Sequence, residues 1–206
     1  MFLETFEVGI YAVNCYIIAD DNKVGAVIDP GGNVDKIKKL IDKRGLDIKY
    51  ILLTHGHGDH IGAVEQLRKL TGAKVAAHKK EKELLNDKDK NLTGCMGVEH
   101  ISFDADEYFS DGDIIKAGEL EFEVIYTPGH TPGGSCFKLG EYLFTGDTLF
   151  TGSIGRTDLF GADPSKMENS LKRLKSIDED LKVLPGHGRA SSLEFEKERN
   201  PYMTGV

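Results

Sequence analysis

The densest chemistry in this 206-residue chain is Thr54-His55-Gly56-His57-Gly58-Asp59-His60, where three imidazoles and a carboxylate fall within six residues. Imidazole nitrogen and carboxylate oxygen are ordinary ligands for a divalent metal such as zinc, at bond lengths of about 2.0–2.2 Å. Gly56 and Gly58 leave the intervening backbone free to take unusual dihedral angles, so the spacing predicts side chains that converge on one point. Three more positions have the same character. His130 lies in the Gly- and Pro-punctuated stretch Thr127-Pro128-Gly129-His130-Thr131-Pro132-Gly133-Gly134, Asp147 in Thr145-Gly146-Asp147-Thr148, and His187 in Pro185-Gly186-His187-Gly188. Five of the seven histidines thus sit in glycine-bearing loops, a pattern that points to metal ligation where any one of them alone would not. Asp147 by itself is equally a turn cap; beside these histidines it reads as a ligand. His78 and His100 lack the context and read as structural.

Such residues need rigid elements behind them, and each follows a short apolar run. The run at 50–53, just before His55, is long enough for a buried strand and too short for a helix. Further strands are predicted at 3–8, 15–19, 24–29, 74–77, 113–116, 121–126, 135–139, 142–144 and 181–184. Pro30-Gly31-Gly32 is a turn, and Asn33 is expected to cap a helix in which Val34, Ile37, Leu40 and Ile41 recur at helical spacing before Gly45 ends it. A second helix is predicted over 59–70, a third over 165–177 and a last over 191–199. The charge-dense stretch 79–90 reads as a solvated helix and loop. The two halves share a plan, β-rich and then mixed, which two sheets packed face to face with helices outside would satisfy. Periodicity alone leaves α/β and α+β both open. Strand-end loops are where a scaffold presents working groups.

Composition narrows the partners. The 39% hydrophobic and 29% charged content is that of an ordinary globular chain, and the length fits one domain over 1–206 that buries roughly 70% of its unfolded surface. A net charge of −8 argues against nucleic acid, which selects basic patches, but not against an anionic small molecule. Cys15, Cys95 and Cys136 are odd in number and far apart, so no disulfide framework is expected; the apolar flanks of Cys15 and Cys136 place both in the core. Residues 1–7 carry acids where a signal peptide needs a basic end and an apolar run. No apolar stretch approaches the roughly 20 residues of a membrane span. The expectation is a cytoplasmic protein without membrane contact, a monomer or small homo-oligomer.

The motif order H-x-H-x-D-H, His, Asp, His, running from 55 to 187, resembles the metallo-β-lactamase superfamily over essentially the whole chain, and closely resembles its glyoxalase II-like hydrolases. The resemblance implies an α+β fold, a four-layer αββα sandwich with the site at one edge of both sheets. It further implies that His55, His57 and His130 hold one divalent metal, that Asp59, His60 and His187 hold a second, and that Asp147 bridges them, with zinc favoured and iron or manganese as alternatives. The implied activity is hydrolysis of a small thioester, such as S-lactoylglutathione or a similar thiol ester, by a hydroxide bound to both metals. In that scheme Asp59 is the catalytic proton acceptor and Arg156 the substrate-binding cation.

Subfamily choice turns on a few positions. True β-lactamases of this fold lack an acid at the position of Asp147, which disfavours antibiotic hydrolysis. RNA-processing and flavin-containing relatives carry additional domains. The long-form glyoxalase II has an aromatic pair where this chain has Thr157 and Asp158, and a helical C-terminal domain beyond the equivalent of Val206, so the thiol stays open. Arg156 is equally readable as a partner of Asp158 that braces its loop. Residues 10–14, 156–160 and 200–202 are the expected substrate walls. Two rivals remain: a persulfide dioxygenase with a single iron on His57, His130 and Asp147, for which two histidines and one carboxylate are the usual ligand set, and a non-catalytic binding module.

Overall fold

The structure is a computed structural model that describes residues 1–96 and 100–206. The chain builds two six-stranded sheets. In the first, β1 (Phe2–Val8), β2 (Val13–Ala19), β3 (Val24–Ile28), β4 (Asp47–Leu52), β5 (Lys74–His78) and β6 (Glu107–Phe109) lie side by side in chain order. The first three strands are antiparallel and β3 to β6 run parallel. The second sheet has the order β14-β13-β10-β9-β8-β7, from β7 (Ile114–Ala117), β8 (Leu120–Tyr126), β9 (Ser135–Leu139), β10 (Tyr142–Gly146), β13 (Lys182–Pro185) and β14 (Ser191–Ser192). A small hairpin of β11 (Leu149–Phe150) and β12 (Ser153–Ile154) follows Asp147.

Strand alternation sorts the side chains into three cores. Tyr16, Ile18, Ala26 and Ile28 point between the sheets, where they meet Phe122, Phe137 and Phe144 of the second sheet. Their neighbours Ile17 and Val27 point the other way, against Ile37 and Ile41 of α1 (Val34–Arg44) and Val64 and Leu67 of α3 (Val64–Thr71). On the far side, Ile125, Cys136, Leu143 and Val183 pack against Met167, Leu171 and Leu174 of α5 (Pro164–Lys175), Leu193 of α6 (Leu193–Arg199) and Met203 of α7 (Pro201–Thr204). All seven residues of β2 are buried because both faces of its sheet are covered. The result is the expected αββα sandwich, and Cys15 and Cys136 lie in its core.

Several elements depart from expectation. The helix predicted over 59–70 is two: α2 (Gly58–Ile61) stops and α3 restarts at Val64. The break lets the Ala63 N–H donate to the Pro30 carbonyl at 2.8 Å, and Gly62 comes so near Gly31 that a Cβ would lie 2.2 Å from its carbonyl oxygen. Asn33 does not cap α1 with its side chain; it takes a left-handed conformation, and its Oδ1 accepts from the Gly9 N–H at 2.8 Å, which pins the β1–β2 turn. The last predicted helix starts two residues late, because Ser191–Ser192 pair with Lys182–Val183 as a strand and Ser192 then caps α6. The 79–90 stretch is not simply solvated: Glu81, Leu84 and Leu85 are buried. Among the described residues no helix is long and apolar enough to cross a membrane.

Phe137 is fully buried between the sheets. Phe137→Ala is expected to lower the unfolding free energy by about 3–5 kcal/mol, by loss of transfer energy plus a residual cavity, read from urea denaturation.

Candidate metal centre

Loops at one edge of both sheets carry the seven candidate ligands. His55 and His57 follow β4, Asp59 and His60 lie in α2, His130 sits in the β8–β9 loop, Asp147 just after β10, and His187 just after β13. Their donor atoms form three groups, each within 4.8 Å: His55, His57 and His130; His55, His60 and Asp147; and Asp59, His60 and His187. His57 Nδ1 and His130 Nε2 are 2.9 Å apart. Asp147 faces both ends of the site. Its Oδ1 is 3.3 Å from His60 Nε2, and its Oδ2 is 3.6 Å from both His130 Nε2 and His187 Nε2. Asp59 Oδ2 lies 3.3 Å from His187 Nε2 and 3.9 Å from His60 Nε2.

Gly56 and Gly58 work differently from expectation. Neither has a positive φ; what Gly58 supplies is room, since a Cβ there would meet Thr93 Cγ2 at 2.5 Å and Met96 Sδ at 2.8 Å. Its N–H donates to the Asn91 carbonyl at 2.7 Å, so the 91–96 loop is seated directly on the motif.

A ring of acceptors orients the imidazoles. Asp29 Oδ2 is 3.0 Å from His60 Nδ1 and also accepts from Thr54 Oγ1 at 2.6 Å, while its Oδ1 accepts from the Thr54 N–H at 2.9 Å. With its own proton committed to Asp29, Thr54 Oγ1 is an acceptor for His55 Nδ1, 3.2 Å away. His130 Nδ1 is 2.8 Å from the carbonyl of Arg156. In the His55 and His130 rings the proton belongs on Nδ1, which leaves the Nε2 lone pair facing the centre, and His60 keeps an Nδ1 proton on Asp29 so that Nε2 is the atom it presents there. The His187 loop is gripped from β2. Asn14 Nδ2 donates to the carbonyls of Pro185 and Gly188 at 3.0 and 2.8 Å, and the Tyr16 hydroxyl donates to Pro185 at 2.6 Å.

The electrostatics divide the site. Burial, with the crowding of neighbouring imidazoles, drives His55 well below the usual histidine range and His57 down to about 3, so both are neutral. Burial pulls His60 the same way, but Asp147, Asp59 and Asp29 outweigh it and raise it well above that range. Asp59 and Asp147 are held low despite burial, chiefly by His60. His55 Nε2, His57 Nε2, His60 Nε2 and Asp147 Oδ1 are buried without a hydrogen-bond partner. An unsatisfied buried polar group costs about 1–3 kcal/mol. The donor set fits a divalent metal: ligands about 2.0–2.1 Å from a tetrahedral ion are separated by about 3.3 Å, close to the 3.3 and 3.6 Å spacings around Asp147.

The structure thus brings all seven sequence-predicted ligands together. It does not direct Arg156 at them: the exposed guanidinium is paired with Asp158 at 2.6 and 2.8 Å, and only the backbone of this residue reaches the site. Of the expected substrate walls, Ile10, Tyr11 and Phe160 are exposed, and Ile10 and Tyr11 line a 470 Å³ cavity that reaches Asp59. Asn14 and Asn200 belong instead to the framework. Asn200 is buried, with its side-chain nitrogen on the carbonyls of Phe150 and Ser153. His78 stacks on Tyr126 at 4.4 Å, as a structural residue should, whereas His100 is exposed on the cavity wall.

Sequence reasoning missed Asp29, Asn14, Tyr16 and Glu81. An acid closing the apolar strand 24–28 was a usable signal for Asp29. Glu81 is fully buried, and burial pushes its carboxyl up to about 7 although Gly56 and Gly133 donate to it. Its one signal is helical spacing with Leu84 and Leu85.

A family model describing the metallo-beta-lactamase superfamily matches residues 8–187, which contain every one of these ligands. The chain belongs to the metallo-β-lactamase superfamily. It is similar to hydroxyacylglutathione hydrolase GloC of Haemophilus influenzae, at 35% identity over 98% of each chain. Among solved structures, BLEG-1 B3 metallo-beta-lactamase superposes with a TM-score of 0.93 at 32% identity, covering 99% of this chain and 100% of that one. TTHA1623 in a di-iron-bound form gives 0.85 at 34% identity, over 98% and 100%. The metallo-β-lactamase fold binds divalent metals, in accord with the His/Asp groups found here.

In this member of the superfamily Asp29 supports Thr54 and His60 together. Asp29→Ala strands the buried Thr54 N–H. It is expected to destabilise the metal-free protein by about 1–3 kcal/mol in urea unfolding.

Proposed function

We propose that this chain, acting as a single metallo-β-lactamase domain, is a dinuclear metallohydrolase that cleaves small thioesters. The observation that carries the reading is Asp147, whose carboxylate lies between the two groups: Oδ1 faces His60, and Oδ2 is equally near His130 of the first group and His187 of the second. His55, His57 and His130 would hold one ion, Asp59, His60 and His187 the other, with Asp147 shared. Two such ions, when bound, lower the pKa of a shared water toward about 7 and polarise the scissile carbonyl. Similarity to a hydroxyacylglutathione hydrolase and to a structure in a di-iron-bound form supports both halves of the reading. Zinc is the favoured metal on ligand type, with iron and manganese as alternatives.

The protein's own groups supply the rest. Asp59 stays ionised and is partly open to solvent, so Oδ2 can accept a proton from the nucleophile. A thiolate leaves readily, so no strong general acid is required beside the sulfur. Ile10 and Tyr11, 72% and 50% exposed, offer apolar contact on the cavity side of Asp59. Arg156 would exchange its pairing with Asp158 for a substrate carboxylate, a match to guanidinium geometry. Because that pair is exposed, the exchange is worth little: Arg156→Ala is expected to raise KM for S-lactoylglutathione about threefold to tenfold with kcat nearly unchanged.

The deciding experiment measures metal per chain on protein purified without oxygen or chelator, then thiol release from S-lactoylglutathione, with a chromogenic β-lactam as control substrate. Two metals and thiol release are expected. A single iron, with oxygen uptake on glutathione persulfide and no thioester turnover, would overturn the reading in favour of the dioxygenase that His57, His130 and Asp147 could also serve.

Proton competition should separate the two ions. His60 and His187 have raised pKa values, so a metal there must displace protons as pH falls, whereas His55 and His57 carry none to displace. Zinc titrations between about pH 8 and 5 are expected to show the Asp59–His60–His187 site weakening first.

A further inference from the structure

The first ligand group is assembled across the sandwich: His55 and His57 come from the loop after β4 of one sheet, and His130 from the β8–β9 loop of the other. Where these loops meet, a backbone bond joins Ser135 N–H to the Thr54 carbonyl at 2.9 Å. One carboxylate joins them again. Glu81, in the turn after β5, accepts from the Gly56 N–H on Oε2 at 2.7 Å and from the Gly133 N–H on Oε1 at 2.5 Å. Gly56 separates His55 from His57, and Gly133 lies three residues beyond His130. Gly133 needs to be glycine for this approach, and at Gly56 a side chain would be a tight fit. A Cβ on Gly56 would sit 3.0 Å from Glu81 Oε2, and one on Gly133 would sit 2.7–2.8 Å from Glu81 atoms.

We infer that Glu81 is a positioning residue that sets the span between the two loops and thereby tunes the His55–His57–His130 metal site selectively. It touches neither metal nor substrate. The second group is held by other means, His60 by Asp29 and the His187 loop by Asn14 and Tyr16, so a change at Glu81 should spare it. The inference rests on the two-metal reading above.

A carboxylate accepts on both oxygens, whereas an amide accepts on one and turns its NH₂ toward the other N–H. Glu81→Gln therefore keeps shape and volume but breaks one arm. Gly133→Ala keeps the carboxylate and displaces it sterically. Loss of such an outer partner typically weakens a metal site 10–100-fold.

The test is zinc titration of the full metal-free chain against a chelating indicator, for the wild type, Glu81→Gln and Gly133→Ala. His187→Ala identifies the transition belonging to the second site, and near-UV circular dichroism of each metal-free protein reports packing. Both loop variants are expected to lose about tenfold to hundredfold in the first site's affinity, with the second transition and the dichroism unchanged. Wild-type affinities in both variants, or equal weakening of both sites, would overturn the inference. Should Glu81→Gln fail to fold, Gly133→Ala decides alone. Fewer than two metals on the wild type would instead refute the two-metal reading, and the inference with it.

Discussion

Four buried atoms without partners, His55 Nε2, His57 Nε2, His60 Nε2 and Asp147 Oδ1, set the terms for the rest of this molecule. Lone pairs removed from water and left unpaired work against folding. The chain accommodates them at a single edge, where loops from two open six-stranded sheets meet, and the three apolar cores lie behind that edge. A metal held there would engage His55 Nε2, His60 Nε2 and Asp147 Oδ1, while His57 faces the centre through Nδ1 and keeps its Nε2 outside it, so metal loading is expected to stabilise the fold. The shared centre also explains why the ligands approach from several directions: no single loop could present so many nitrogen and oxygen atoms to one volume and keep its own backbone bonded.

The framework solves the alignment problem with inexpensive parts. Three of the rings are oriented through Nδ1, by a carboxylate, a hydroxyl and a backbone carbonyl in turn. The His187 loop is held through its own carbonyls by Asn14 and Tyr16. Thr54 connects these arrangements, since its hydroxyl donates to Asp29 while facing His55. Apart from the Arg156 carbonyl, the bracing comes from β2, from the end of β3 and from the turn after β5, and through Asn14, Tyr16 and Glu81 the first sheet supports loops of the second.

How much of this was legible in the sequence follows from the range of each interaction. The ligands stood out because four of them occupy six consecutive positions and the others share a Gly-rich setting. The long strands and α1, α3 and α5 declared themselves through apolar periodicity, and the paired sheets followed from their order. The bracing residues were hidden because their partners are distant in the chain: Asp29 reads as the last residue of a strand and Asn14 as part of a substrate wall. Glu81 is indistinguishable by composition from the charged residues around it. The break before α3 depends on Gly62 meeting Gly31, a contact between separate segments. β6, β11, β12 and β14 have two or three residues each, too few for a period to register.

Every residue type has a carbonyl, and it is the carbonyl of Arg156 that holds His130. The side chain at this position answers to nothing in the ligand network and extends into solvent toward Asp158. One residue therefore serves two masters that never conflict: its main chain belongs to the centre, its side chain to whatever approaches from outside. A substitution of this side chain leaves in place the carbonyl that holds His130, so the rim is free to vary in charge and size while the ligand network keeps its geometry.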